Sequence, residues 1–207
     1  MNILIFGASG RTGHELVKQA LAKDIPAFVR KMDKLTIAHA NLKIVQGELS
    51  DYRKIVDCIK GHDAVLSALG ASSPYTFDQS VVDGMINIVA AMEQADVKRL
   101  IYLSGIVVDE SRKNAGLLIR CLEPILLRTE KAGHEARENI IRQSGLGWTL
   151  VRVAALTTGE HKSMYRNGED IKAQGILANI SRADVADFML DQLTHNTFLR
   201  KAPIVMY

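Results

Sequence analysis

Near the amino terminus, Gly7-Ala8-Ser9-Gly10-Arg11-Thr12-Gly13 sets glycines three residues apart among two hydroxyls and a guanidinium. The loop follows an apolar run, Asn2 to Phe6, and precedes an amphipathic stretch, Thr12 to Ala22. The first glycine makes the tight turn after a strand, the second lets backbone approach a pyrophosphate, and the third lets helix pack on strand. A helix that starts there offers unpaired N–H groups and the positive end of its dipole to an anion. The spacing therefore predicts a dinucleotide site with Gly7, Ser9, Gly10, Arg11, Thr12 and Gly13 as contacts, against the blander reading of a glycine-rich structural turn. No Gly-Lys-Ser/Thr follows, so the loop is not a P-loop, and no G-x-S-x-G frame makes Ser9 a nucleophile.

The end of the second strand selects the dinucleotide. An acid there hydrogen-bonds the ribose 2′-hydroxyl of NAD, whereas an arginine suits the 2′-phosphate of NADP. The chain reads Ala27-Phe28-Val29-Arg30-Lys31. Guanidinium grips phosphate with two parallel donors, so Arg30 is expected to bind the 2′-phosphate with Lys31 as helper, which favours NADPH over NAD. A solvated basic turn, with Asp33 as the ribose ligand, stays open. Glu48 and Leu49 after the third strand, and Ala68, Leu69 and Gly70 at the end of the fourth, stand where adenine and ribose would lie; Leu49 serves equally well as a core cap. Val153 ends the sixth strand on the same edge.

The elements that must hold these residues alternate along the chain. Asn2 to Phe6, Ala27 to Val29, Leu42 to Val45, Ala64 to Ala68, Arg99 to Leu103 and Thr149 to Val153 are near-continuous apolar runs, as in strands covered on both faces. Helical patterns run over Thr12 to Ala22, Tyr52 to Ile59, Asp78 to Gln94 and Pro124 to Gln143; Ser181 caps another through Asp184, and Ile204 to Tyr207 reads as a last strand. This is an α/β pattern with a Rossmann-type, doubly wound parallel sheet. No linker or repeat divides residues 1–207, so one domain is expected, and the polar stretch Thr157 to Gly175 reads as a mobile loop over a site. The chain has 207 residues with 26 basic and 23 acidic side chains, too weak a field to favour nucleic acid. Cys58 and Cys121 are too sparse for a disulfide framework, and no apolar run spans a membrane or makes a secretory signal, so a cytoplasmic protein is expected.

Four segments together carry a family resemblance: the glycine loop, Val29-Arg30, Asp63-Ala64-Val65-Leu66-Ser67-Ala68-Leu69-Gly70, and Ser144-Gly145-Leu146-Gly147-Trp148-Thr149-Leu150-Val151-Arg152. They resemble the atypical short-chain dehydrogenases, and within them the NmrA-like and biliverdin reductase B (flavin reductase) group. The resemblance runs over nearly the whole chain. It implies a Rossmann domain whose small carboxyl-terminal part shapes a substrate pocket.

Classical members of that superfamily take a proton from the tyrosine of a Tyr-x-x-x-Lys pair. Here Tyr52, Tyr75, Tyr102 and Tyr165 are followed four places on by Val56, Gln79, Ile106 and Glu169, so the pair is missing. Two groups stand where chemistry is expected. Ser104 closes the fifth strand before Gly105, either as a hydrogen-bonding group or as a small residue that allows close packing. The resemblance sets His134 beside the pocket, where its imidazole could donate a proton or orient an anion. The helical wheel instead gives an apolar stripe of Ile125, Ala132, Ala136 and Ile140, with His134 opposite it among Lys131 and Glu138 as a solvated residue. The histidines show no paired metal-ligand spacing. The expected activity is hydride transfer from NADPH to a planar conjugated acceptor, a flavin, quinone or tetrapyrrole. The rival is a catalytically silent NADP sensor with a regulatory protein partner.

Overall fold

Strand β1 (Ile3–Phe6) is buried along its whole length and alternates its side chains between two layers. Ile3 and Ile5 face a core shared with Leu16, Val17, Val185 and Phe188, whereas Leu4 and Phe6 face one shared with Ile55, Met85, Ile88 and Ile141. Helices therefore cover both faces, which is why the strand sequences are continuously apolar. The computed structural model describes residues 1–23, 27–29, 37, 39–71, 76–122 and 127–207.

The sheet has eight strands in the order β3-β2-β1-β4-β5-β6-β10-β8. After β1 these are β2 (Ala27–Val29), β3 (Leu42–Ile44), β4 (Ala64–Ser67), β5 (Arg99–Gly105), β6 (Gly147–Val153), β8 (Arg166–Gly168) and β10 (Ile204–Met206). All neighbours run parallel except β8, which pairs antiparallel with β10. The chain winds outward from β1 in one direction and from β4 in the other, so the order reverses between them. In open doubly wound sheets a ligand binds at such a reversal, outside the carboxyl ends of the strands. One layer holds α1 (Arg11–Ala22) and α6 (Arg182–Asp191), and the other α2 (Tyr52–Ile59), α3 (Gln79–Gln94) and α5 (Arg128–Gln143). A 3₁₀ turn (Asp109–Asn114) and α4 (Leu117–Leu122) follow β5, and β7 (Ala155–Thr157) pairs with β9 (Asn179–Ser181) as a separate ribbon. No helix among the described residues is long and apolar enough to cross a membrane.

Three expectations need correction. Thr157 to Gly175 is strand-poor, with β8 inside it, but its earlier part is fastened to α6 by Asp184, which accepts the N–H groups of Lys162 at 2.8 Å and Ser163 at 2.9 Å. Two donors converging on one buried carboxylate tie that segment to the helix rather than over the cleft described below. Strand β5 runs two residues further than its apolar run, because Ser104 and Gly105 stay in register with Arg152 and Val153. Helix α5 buries His134 and Glu138 while Ala132 is exposed. The face it turns inward is displaced from the apolar stripe, because its polar residues find partners beneath the sheet edge.

Candidate active site

A cleft of about 930 Å³ opens along the carboxyl ends of β1, β4, β5 and β6. Its first end is the glycine turn. Gly7 has φ +81°, and a Cβ there would stand 2.6 Å from the Ala68 carbonyl, so the turn and the end of β4 touch through bare backbone. A Cβ on Gly13 would stand 2.1 Å from the Gly7 oxygen; this residue lies under the turn and lets α1 seat on β1. Gly10 caps the helix with no side-chain bond and no acid in the first turn. The first N–H groups of α1 thus have no side-chain cap among the described residues. With Ser9, Arg11 and Thr12 on the same wall, this is a cradle of backbone donors that a pyrophosphate fits and a side chain would fill.

The flanking wall is Glu48 and Leu49 on one side and Ala68, Leu69 and Gly70 on the other. Leu49 is buried in the core and also faces the cleft. Helix α3 fixes it: Asn87 Nδ2 donates to the Leu49 carbonyl at 2.8 Å, and a Cβ on Gly84 would stand 2.7 Å from Leu49 Cδ1. Arg182, at the start of α6, lines the cleft with Arg11, and neither has a carboxylate partner among the described residues. Burial, and then the charge of Arg11, hold the Arg182 guanidinium below its ordinary pKa. Arg30, Lys31 and Asp33, the residues expected to choose between NAD and NADP, lie outside the described residues.

The other end of the cleft is apolar, walled by Ile106, Val107, Ile119, Leu127 and Leu156 as well as Val153. Into it come Ser104, His134 and Glu130. The structure therefore brings both sequence-chosen residues, Ser104 and His134, to one place. His134 is only 9% exposed, so the solvated-helix reading is wrong. Its Nδ1 lies 3.0 Å from the hydroxyl of the wholly buried Tyr102. Burial raises the phenol pKa, so Tyr102 keeps its proton, and burial followed by Arg137 pushes the imidazole down to about 3. Arg137, with Cζ 5.9 Å from the Tyr102 ring centroid, has only donors and cannot take the phenol proton. The phenol therefore donates to Nδ1, and the neutral ring carries its hydrogen on Nε2, beside Glu130 Oε1 at 4.0 Å.

Ser104 Oγ donates to Glu138 Oε1 at 2.6 Å, which leaves its lone pairs to the cleft. Glu138 is itself held by Arg152, and Arg152 Nη2 also reaches Asp109 Oδ2 at 2.7 Å. Glu130 and Arg182 were missed by sequence reading. Glu130 stands four residues before His134 on α5, so the wheel, turned to bury His134, finds it; nothing local marks Arg182.

A family profile described as NAD(P)H-binding matches residues 7–196. The protein YMR090W of Saccharomyces cerevisiae is 26% identical, over 94% of this chain and 88% of its own. Among solved structures, a short-chain dehydrogenase/reductase from Veillonella parvula in complex with NADP superposes with a TM-score of 0.80 at 21% identity, covering 99% of this chain and 93% of that one. ChuY, an anaerobilin reductase from Escherichia coli O157:H7, superposes with a TM-score of 0.77 at 17% identity, covering 99% and 96%.

Proposed function

The chain belongs to the NAD(P)H-binding family, and on that premise we propose that it is a cytoplasmic, NADPH-dependent reductase of a planar conjugated acceptor such as a flavin, quinone or tetrapyrrole. The observation that carries this reading is the cleft's two unlike ends: a cradle of backbone donors, continuous with an apolar compartment whose inward polar groups are Ser104, His134 and Glu130. When bound, the nicotinamide supplies hydride from C4. The chain's own residues bind, orient and exclude water. The neutral His134 offers an Nε2–H to an acceptor oxygen or ring nitrogen, and Ser104 offers a lone pair to an amide or ring N–H. The apolar walls suit a flat ring system, and such an acceptor needs no Tyr-x-x-x-Lys acid. The NADP complex of the Veillonella parvula neighbour and the reductase activity named for ChuY point the same way.

NADPH is favoured over NADH by Arg30 and Lys31, with Arg11 adding charge at the phosphates. The test mixes the protein with NADPH and a flavin or a quinone and follows the nicotinamide absorbance. Acceptor-dependent loss of absorbance, slower with NADH, is expected. Tight NADPH binding with every acceptor left unreduced overturns the reading in favour of a sensor.

A further inference from the structure

A neutral acceptor that gains hydride must also gain a proton, and His134, held neutral, has none to spare. Among the described residues four carboxylates line the cleft: Glu48, Asp78, Asp83 and Glu130. The first three belong to the loop after β3 and to the start of α3, on the dinucleotide side. Glu130 lies in the first turn of α5, among Ile119, Leu127 and His134 at the apolar end. Its side chain is 38% exposed, so water reaches the carboxyl from one side while His134 Nε2 stands 4.0 Å away on the other. Among the described residues, the ionisable groups around it are His134 and Arg137 from its own helix and Tyr102 from β5. Lys131, next in sequence, lies 3.7 Å from Glu135. Burial lifts the Glu130 carboxyl above the usual glutamate range, with Arg137 opposing it.

We propose that Glu130 is a catalytic acid, delivering the proton that accompanies hydride into a neutral planar acceptor. This deepens the reductase reading above and rests on it. In the balanced step the acceptor carbon or nitrogen gains hydride and the acceptor is reduced by two electrons. The nicotinamide is oxidised as its C4–H bond breaks. The electron pair displaced onto the acceptor's heteroatom takes the proton as the Glu130 O–H bond breaks. Water at the exposed side returns a proton to the carboxylate. His134 orients the same heteroatom through its Nε2–H without giving up that hydrogen.

A cationic dye separates this role from a structural one. Methylene blue becomes neutral on gaining hydride and needs no proton, whereas a naphthoquinone needs one. Parent protein and Glu130→Gln are compared with NADPH under anaerobic conditions, using both acceptors. The variant's kcat/KM should fall about 100-fold or more further for the quinone than for methylene blue, the scale of general-acid catalysis. The parent's quinone rate should fall as pH rises through the Glu130 pKa, and the variant's profile should lack that limb. Infrared spectra of the protein without cofactor give an independent reading. A protonated-carboxyl band should persist above the ordinary glutamate range in the parent and be absent from the variant. Equal loss with both acceptors, no loss with either, or a parent without that band overturns the assignment. If the parent reduces neither acceptor, the reductase reading itself falls and this inference with it; if it reduces both and Glu130→Gln does too, only this inference falls.

Discussion

Glu138 and Arg152 face each other beneath the cleft through two parallel hydrogen bonds, Nε to Oε1 at 3.0 Å and Nη2 to Oε2 at 2.6 Å. Glu138 is 1% exposed, so this pair lies in a low-dielectric interior and joins α5 to β6. Ser104 bonds the same Oε1, so the orientation of one cleft residue depends on a charge that never meets solvent. A buried pair of this kind gains little net stability over apolar packing, but removing Glu138 leaves Arg152 with only the half-exposed Asp109, at 2.7 Å, as its partner.

Glu138→Ala should therefore destabilise the fold, by less than the about 3–5 kcal/mol of a fully stranded buried charge because Asp109 still meets Arg152, read as a lower urea midpoint. The double variant Glu138→Leu/Arg152→Met should recover most of that loss, because neither charge remains buried. It should still reduce acceptors more slowly than the parent, since Ser104 loses its anchor. A double variant no more stable than Glu138→Ala would place the cost in packing rather than in the stranded guanidinium.

The glycine loop gives two opposite expectations within four residues. At Gly13 a methyl would stand 2.1 Å from the Gly7 carbonyl oxygen, with backbone unable to yield. Gly13→Ala should cost about 1–3 kcal/mol or more, with Tm falling about 2–4 °C for each kcal/mol. At Gly10 the backbone is ordinary, φ −77° and ψ 160°, but a methyl would stand 3.2 Å from the Gly7 oxygen, a milder crowding than at Gly13. Gly10→Ala should lose less Tm than Gly13→Ala and weaken NADPH binding by about 10-fold or more, roughly 1.4 kcal/mol. Thermal melts and dissociation constants for both variants check the contrast.

Much of this was legible in the residues. The strands are readable because a parallel sheet buried on both faces forces apolar runs, and the glycine loop because each glycine answers a close backbone approach. Helix α5 misled for an equally physical reason. Its inward face carries His134, Arg137 and Glu138, which are buried only because Tyr102, Ser104 and Arg152 come from distant strands to partner them. Hydrophobic periodicity has no term for such pairings. The segment Thr157 to Gly175 looked free for the same reason: its anchor, Asp184, is more than twenty residues away from Lys162 and Ser163.

Cofactor choice should divide between two clusters of positive charge. Arg30→Ala should weaken NADPH by roughly 10- to 150-fold, the range of a charge-assisted bond to the 2′-phosphate, and change NADH little. Arg11→Ala and Arg182→Ala remove guanidiniums that line the cleft with no carboxylate partner among the described residues. Arg182 stands at the start of α6, beside the phosphate cradle, so its loss should weaken NADPH and NADH alike and flatten the salt dependence of both. Paired dissociation constants at low and high salt separate the clusters; an unchanged affinity in Arg182→Ala removes that residue from the cofactor's path.

His134 should leave a mark on stability against pH that is independent of turnover. Its folded pKa of about 3 lies far below the ordinary histidine value of about 6.5. As pH falls, the unfolded chain takes up this proton before the folded one does. The stability contributed by the neutral ring is therefore fully present above about pH 6.5 and drains away as pH drops towards 3, by about 1.4 kcal/mol per pH unit. Glu130 has the opposite sign: its raised carboxyl stabilises at low pH and loses that contribution as pH rises. Glutamine at position 134 can accept from Tyr102 and donate into the cleft, yet never titrates. In His134→Gln the acid-side loss due to the ring should vanish while the Glu130 contribution remains. Urea unfolding of parent and variant should thus show their stability difference shifting in the variant's favour by about 2 kcal/mol between about pH 6.5 and about pH 5. A constant difference over that range would mean that the folded ring takes up its proton as readily as the unfolded one, and the Nε2–H donor assigned to the cleft would have to be abandoned.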